Sequence, residues 1–146
     1  MDLTTLYRTV IMDNYKNPKN KGLKRTDDYH FVHLNNPSCG DDMNVEILMK
    51  DGRLEEIHHD GHGCSICCSS ASVMSETLKG KTVEEAMTVI HDFYELVKGE
   101  NPKDEEALGE AIAYVGVRDF PARIKCATLS WKAVEQAILE VEHERK

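Results

Sequence analysis

The sequence has no long apolar run and no surplus of positive charge, and these two absences exclude several classes of protein. None of its hydrophobic stretches approaches the ~20 residues that a helix needs to cross a bilayer, so we expect no membrane-bound role. Lys and Arg number 18 against 26 Asp and Glu, which gives a net charge of −8. Binding to nucleic acid requires a basic face, so we expect no nucleic-acid partner. The acidity favours solubility and could steer a basic protein partner.

Nothing in the sequence indicates a targeting segment, an internal repeat or a low-complexity stretch. The first residues, Met1 to Thr5, have neither the basic start nor the apolar stretch of a secretory signal, so we expect a cytoplasmic protein. In that compartment the five cysteines are expected to be thiols or metal ligands rather than disulfides. With 146 residues, 40% of them hydrophobic, the chain can bury a core, and we treat residues 1–146 as a single domain.

Residue spacing predicts an antiparallel sheet in the first half of the chain. Residues 29–34 and 43–49 alternate apolar and polar side chains, as strands with one buried face do. Asp51-Gly52 is a strong hairpin signal, and residues 54–59 are predicted to form the returning strand. The first half therefore predicts a sheet of about three strands.

Helices are predicted before the sheet and after it. The predicted helices cover residues 3–15, 67–79, 83–97 and about 104–114, and a last one starts near Cys126. Thr82 and Glu85 have the spacing of a capping box, which marks the start of the third of these helices. Strands followed by helices predict an α+β fold, with a small antiparallel sheet packed against several helices.

Three cysteines have neighbours that suit a metal or a reactive sulfur. Cys39 lies in a predicted turn with Asp41 two residues away, and Cys64 follows Gly61-His62-Gly63. Cys126 is predicted at the N-terminal edge of the last helix, where unpaired N–H groups and the helix dipole favour a thiolate. Three thiolates and one carboxylate would make a tetrahedral zinc set. A single cysteine is more commonly a small buried residue, so spacing alone leaves both interpretations open.

The segment Cys64-Ser65-Ile66-Cys67 has the CxxC spacing of zinc knuckles and redox dithiols. A zinc ribbon needs a second CxxC, which the sequence lacks, and a thioredoxin-like dithiol needs a parallel βαβ frame that the predicted antiparallel sheet does not supply. Cys67 and Cys68 are therefore expected to serve close packing of a helix.

Five charged or titratable residues lie close to the three cysteines. His58 and His59 fall on opposite faces of a predicted strand, and we expect both to face solvent. His62, two residues before the second cysteine, is the better auxiliary candidate. Arg123 and Lys125 lie beside the third cysteine, where they either stabilise a thiolate and steer a partner or are solvated surface charges.

Several segments, in order along nearly the whole chain, resemble the U-type iron–sulfur cluster assembly proteins of the SufU/IscU family. The resemblance rests on Leu6-Tyr7-Arg8, residues 13–18, Asn20-Lys21-Gly22, residues 35–41, Gly63-Cys64-Ser65-Ile66 and residues 120–127. Two features resemble the SufU branch: Lys125 replaces the histidine that IscU-like proteins carry before the third cysteine, and residues 99–118 resemble a SufU insertion.

The resemblance implies an α+β fold and a zinc site whose ligands are Cys39, Asp41, Cys64 and Cys126. It also implies two partners: a SufS-like, pyridoxal-phosphate-dependent cysteine desulfurase that holds a persulfide, and a SufBCD-like scaffold that builds the cluster. The implied mechanism is ligand exchange, in which a partner histidine replaces Cys39 on zinc and the freed sulfur attacks the persulfide.

The implied function is that of a zinc-dependent sulfur carrier, sulfurtransferase-like, which activates the desulfurase. One alternative is a scaffold that binds iron or a [2Fe–2S] cluster directly through the same residues. Another is a small protein with a purely structural zinc. A structural site favours four Cys or His ligands, so the carboxylate of Asp41 favours an exchangeable site.

Overall fold

The computed structural model describes residues 3–37 and 40–144 and has an α+β fold, as predicted. The elements, in order, are α1 (Leu3–Lys16), β1 (His30–Asn36), β2 (Asp41–Lys50), β3 (Arg53–His62), α2 (Ser65–Leu78), α3 (Val83–Val97), α4 (Glu105–Leu108), a 3₁₀ helix (Gly109–Asp119) and α5 (Pro121–Glu144). In the part of the chain that the structure describes, no helix is both long enough and apolar enough to cross a membrane.

The three strands form one antiparallel sheet in the order β1-β2-β3. Asp51 and Gly52 both have positive φ, at 54° and 75°, as the tight hairpin between β2 and β3 requires. Asn36 pairs with Asp41, and the next residue of β2 pairs with His62. The end of β1, the start of β2 and the end of β3 therefore lie at the same end of the sheet.

The core lies between one face of the sheet and the helices. Alternate residues of the sheet point into it, among them Val32, Met43, Val45, Ile47 and Ile57. Helix α5 packs across β1 and β2, and α2 packs beside β3 and α5. Trp131 of α5 stacks on Phe93 of α3 with ring centroids 4.0 Å apart, and both side chains are fully buried.

The helix predicted over residues 104–114 is wrong in type and length. Helix α4 is a single turn capped by Asp104, and a 3₁₀ helix follows from Gly109, whose φ is 52°. Four of the five buried residues of this stretch are three apart, namely Leu108, Ala111, Tyr114 and Val117, and the fifth is Ala113. Because a 3₁₀ helix has three residues per turn, that spacing places all four on one side.

The last helix begins at Pro121, five residues before the predicted start. Proline suits the first position of a helix, because its missing N–H would have no helical partner there. The Phe120 carbonyl accepts the N–H groups of Arg123 and Ile124, which closes the first turn. Cys126 is therefore in the second turn, and its predicted position among unpaired N–H groups is wrong.

The apolar residues of α1 are only partly buried. Leu3 and Leu6 are 64% and 46% exposed, and Tyr15 is 45% exposed. The polar side chain of Asn14 is buried instead: its amide donates to Glu110, and its oxygen accepts from the hydroxyl of Ser72 at 2.7 Å. Helix α1 is therefore held by polar contacts at its C-terminal end as well as by apolar packing.

Candidate metal centre

The candidate site lies where the end of the sheet meets α2 and α5. Asp41 is the first residue of β2, Cys64 caps the N-terminus of α2, and Cys126 lies in α5. One carboxylate oxygen and the two sulfur atoms all lie within 4.8 Å of one another. The structure therefore brings together three of the four predicted ligand residues.

The fourth predicted ligand, Cys39, lies outside the described residues. In the sequence, Cys39 falls between β1 and β2. Gly40, the residue before β2, donates its N–H to the carbonyl of Asn36, the last residue of β1, at 3.0 Å. Cys39 as a ligand stays a prediction. Asp41, which we predicted in the turn, belongs instead to β2, where it pairs with Asn36.

The three clustered residues are well shielded from solvent. Asp41 and Cys126 are each 1% exposed, and Cys64 is half-buried. The backbone N–H of Cys64 donates to Asp41 Oδ1 at 3.0 Å. A buried carboxylate needs such partners, because removing the charge from water is otherwise costly. This hydrogen bond also links the carboxylate directly to one of the cysteines.

Arg123 lies against both sulfurs, whereas Lys125 does not. The negative charges of Cys64 and then Cys126 raise the pKa of Arg123, whose guanidinium lies near both sulfurs. Lys125 is exposed on the same helix, and within the described part of the chain no contact joins it to either sulfur.

His62 and Cys68 lie beside the clustered residues rather than among them. Both line a cleft, together with Lys21, Tyr15 and Gly63. Burial, and then the neighbouring Cys64, raise the pKa of the Cys68 thiol. Cys68 is thus only half-buried and faces a cleft, so its predicted packing role is only partly right.

Cys67 fills the core with no exposed surface, as predicted for a packing residue. Across residues 3–37 and 40–144 the structure contains no disulfide, and Cys64, Cys67, Cys68 and Cys126 are all thiols.

The prediction that His58 and His59 face solvent is wrong, although they do lie on opposite faces. His59 is 3% exposed, and its Nε2 donates to the Lys19 carbonyl at 2.7 Å. Burial lowers the pKa of His59, so its imidazole is neutral. His58 contacts the buried carboxylate of Glu46 through Nδ1 at 2.8 Å. The segment after α1 covers this part of the sheet, and no pattern in the sequence indicated that.

Buried serines connect the helices that carry the two cysteines, and sequence reasoning missed their role. The hydroxyl of Ser70 in α2 donates to the carbonyl of Ala127 at 2.6 Å and accepts from Trp131 Nε1 at 2.9 Å. Ala127 directly follows Cys126, so this contact holds that part of α5 against α2. The signal was a run of serines inside a helix, where serine is usually unfavourable unless it has a partner.

The donor set fits zinc. Cysteine thiolates and a carboxylate are ordinary zinc ligands, and Zn–S bonds of about 2.3 Å place tetrahedral ligand atoms about 3.7 Å apart. Ligand atoms within 4.8 Å of one another need only small side-chain movements to reach that spacing. Three protein donors leave one of the four tetrahedral positions for a further ligand.

Comparison with known proteins agrees with this geometry. The family model described as NifU-like N terminal domain matches residues 6–127. The chain is 45% identical to the zinc-dependent sulfurtransferase SufU of Bacillus subtilis, over 97% of this chain and 95% of that protein. It is 42% identical to the iron–sulfur cluster assembly scaffold protein IscU of Streptococcus pyogenes, over 93% and 84% of the two chains.

A solved structure supports the same kinship. The N-terminal part of a NifU-like protein from Brucella abortus superposes with a TM-score of 0.83 and 25% identity, and the match covers 94% of each chain. The chain therefore belongs to the family of NifU-like N-terminal domains, which confirms the predicted kinship with the SufU and IscU proteins of iron–sulfur cluster assembly.

Proposed function

We propose that this protein is a zinc-dependent sulfur carrier, which accepts persulfide sulfur from a cysteine desulfurase and passes it to iron–sulfur cluster assembly. The observation that carries the proposal is the convergence of Asp41, Cys64 and Cys126 within 4.8 Å. It occurs in a chain 45% identical to a protein named as a zinc-dependent sulfurtransferase. We assign these three residues and Cys39 as the zinc ligands.

The proposed chemistry is exchange at sulfur. When bound, zinc would keep cysteine sulfurs as thiolates at neutral pH and protect them from oxidation. The Cys39 thiolate attacks the terminal sulfur of the partner's persulfide. A sulfur–sulfur bond forms on Cys39, the partner's sulfur–sulfur bond breaks, and the partner's cysteine leaves as a thiolate. The electrons balance without any external oxidant or reductant.

The other site residues have different roles in this proposal. Cys126 is buried in a 24-residue helix and Cys64 begins another, so both are held by regular structure and serve as anchors. Asp41 supplies an oxygen, a harder ligand than a fourth thiolate, which keeps the site exchangeable. Arg123 favours the thiolates and attracts an anionic persulfide, while His62 and Lys125 contribute to the approach of a partner.

The partners in this proposal are a SufS-like, pyridoxal-phosphate-dependent cysteine desulfurase, which the protein activates by removing its persulfide sulfur, and a SufBCD-like scaffold that receives that sulfur. We propose that these reactions take place in the cytoplasm and that the whole chain acts as one domain. The comparison that supports these partners is membership of the iron–sulfur cluster assembly family.

Two other functions use the same residues. Kinship with proteins named as IscU scaffolds favours a role in which iron or a [2Fe–2S] cluster occupies the site. If the zinc were purely structural, the sulfur of Cys39 would never need to leave the metal. Metal analysis of anaerobically purified protein distinguishes the sulfur carrier from the scaffold. For the carrier we expect one zinc and little iron, whereas stoichiometric iron with visible absorption would favour the scaffold.

Cys39→Ser tests the carrier role, with Cys68→Ser as the matched control. We expect mass spectrometry to detect a persulfide on the wild-type protein, and we expect Cys39→Ser to lose it and to abolish stimulation of the desulfurase. Cys68 lies in the adjoining cleft and is not among the clustered donors, so Cys68→Ser should retain both. Unchanged stimulation by a zinc-loaded Cys39→Ser protein would leave the structural-zinc function as the better one.

A further inference from the structure

Gly63 lies directly against the carboxylate of Asp41. A β-carbon added to Gly63 would overlap Asp41 Oδ1 and would lie 3.0 Å from its Cγ and 3.2 Å from its Cα. The backbone itself does not require glycine here, because Gly63 is not among the glycines with positive φ. What the position requires is space for the carboxylate.

The same peptide unit that leaves this space also holds the carboxylate. The N–H of Cys64, the residue after Gly63, donates to Asp41 Oδ1 at 3.0 Å. Asp41 is 1% exposed, so its side chain has little room to turn elsewhere. A methyl group at position 63 would therefore displace Oδ1 and break its hydrogen bond to the backbone.

We propose that Gly63 is a positioning residue of the metal centre, because its lack of a side chain keeps the carboxylate of Asp41 within reach of both sulfurs. This inference rests on the proposed role of Asp41 as a ligand. Gly63 thereby determines that the site offers an oxygen donor beside its thiolates. Without that oxygen the cysteines would still bind a metal, but with lower affinity and in a different geometry.

Cobalt(II) binding to metal-free protein tests the inference, since its visible bands report coordination geometry and its near-ultraviolet absorption reports thiolate ligands. We expect Gly63→Ala to retain the thiolate absorption, to show the visible bands of Asp41→Ala, and to bind cobalt about 10–100-fold more weakly than wild type. The double variant should bind no more weakly than Asp41→Ala. Gly63→Ala with wild-type bands and affinity would overturn the inference.

Gly116→Ala is the matched control. A β-carbon on Gly116 would meet no atom within 4 Å, and the φ of Gly116 is not positive either. We therefore expect Gly116→Ala to bind cobalt as the wild type does. A loss of affinity equal to that of Gly63→Ala would show that any added methyl group disturbs the protein, and would also overturn the inference.

Unfolding of the metal-free proteins in urea separates this inference from the proposed function. We expect Gly63→Ala to lower the unfolding midpoint, and to lower it less in an Asp41→Ala background, where most of the clash is gone. Equal losses in both backgrounds would overturn the inference. A wild-type protein that binds neither cobalt nor zinc would refute the metal centre itself, whichever way the unfolding comparison falls.

Discussion

Ser70 joins the helices that carry Cys64 and Cys126, and replacing it with alanine tests how the site is held together. Its hydroxyl donates to the carbonyl of Ala127 and accepts from Trp131 Nε1, and all three residues are buried. Ser70→Ala removes both hydrogen bonds and leaves the indole N–H in the core without its acceptor. The substitution removes only the hydroxyl group, so it changes the volume of the side chain very little.

The expected loss of stability follows from these two bonds. An intramolecular hydrogen bond contributes about 1 kcal/mol net, and a buried donor left without a partner costs about 1–3 kcal/mol. One lost bond and one orphaned N–H together predict a decrease in the free energy of unfolding of about 2–4 kcal/mol. For a domain of this size each kcal/mol lowers Tm by about 2–4 °C, so Tm should fall by roughly 5–15 °C.

Ser130→Ala is the matched control. Ser130 is 1% exposed, and in the described part of the chain its hydroxyl is a buried side-chain oxygen without a hydrogen-bond partner. Deleting it removes the same atom from the same core without breaking a bond. We therefore expect Ser130→Ala to leave the free energy of unfolding unchanged or to raise it by up to about 1 kcal/mol.

The assay is urea unfolding of the metal-free proteins, followed by far-ultraviolet circular dichroism, with zinc affinity measured separately. Since Ser70 holds α5 beside α2, we also expect Ser70→Ala, and not Ser130→Ala, to weaken zinc binding. Losses of stability that are equal in the two variants, or a Ser70→Ala loss below about 1 kcal/mol, would refute the reasoning that this contact positions the helix.

Two further predictions concern charge at and near the site. Arg123→Gln should slow the reaction of the metal-free thiols with a disulfide reagent at neutral pH several-fold, because the charge of Arg123 lies near both sulfurs. Lys125→Gln should leave the rate unchanged, and equal rates in both variants would contradict this. Burial lowers the pKa of His59, so the unfolded state binds the proton more readily than the folded state does. Stability from this group is therefore complete above about pH 6.5 and is lost as the pH falls below it. His59→Gln, whose amide can still donate to the Lys19 carbonyl, should show a shallower fall in stability from pH 6.5 to 5.

Elements that depend on neighbouring residues were predicted well. The Asp51-Gly52 hairpin formed as expected, and Thr82 and Glu85 make both hydrogen bonds of the predicted capping box. Such features are local, because the residues that make them are within a few positions of one another.

The α-helix predicted over residues 104–114 was wrong for the converse reason. Four of the buried residues from Leu108 to Val117 are three apart, which suits a 3₁₀ helix, and the helix packs against α1, α2, α3 and α5, which no local pattern shows.

Burial of polar residues was harder to predict. His59 was expected at the surface, because alternation along a strand shows which residues share a face and not what covers that face. The segment after α1 covers it, since the N–H of Gly22 donates to the carbonyl of His59 at 2.8 Å. The contacts of Ser70 were missed for the same reason, because their partners lie in another helix.

The sequence by itself determined the residue types of the candidate site and the family, since the motifs around Cys39, Cys64 and Cys126 are short and lie in order along the chain. Only the tertiary structure decided that Asp41, Cys64 and Cys126 meet within 4.8 Å. The distance between the ends of β2, α2 and α5 depends on how their buried faces pack, and local sequence preferences do not set it. The fold also placed the carboxylate of Asp41 against Gly63, where an added methyl group would overlap its oxygen. On our proposal, that methyl group would remove the oxygen donor from the site.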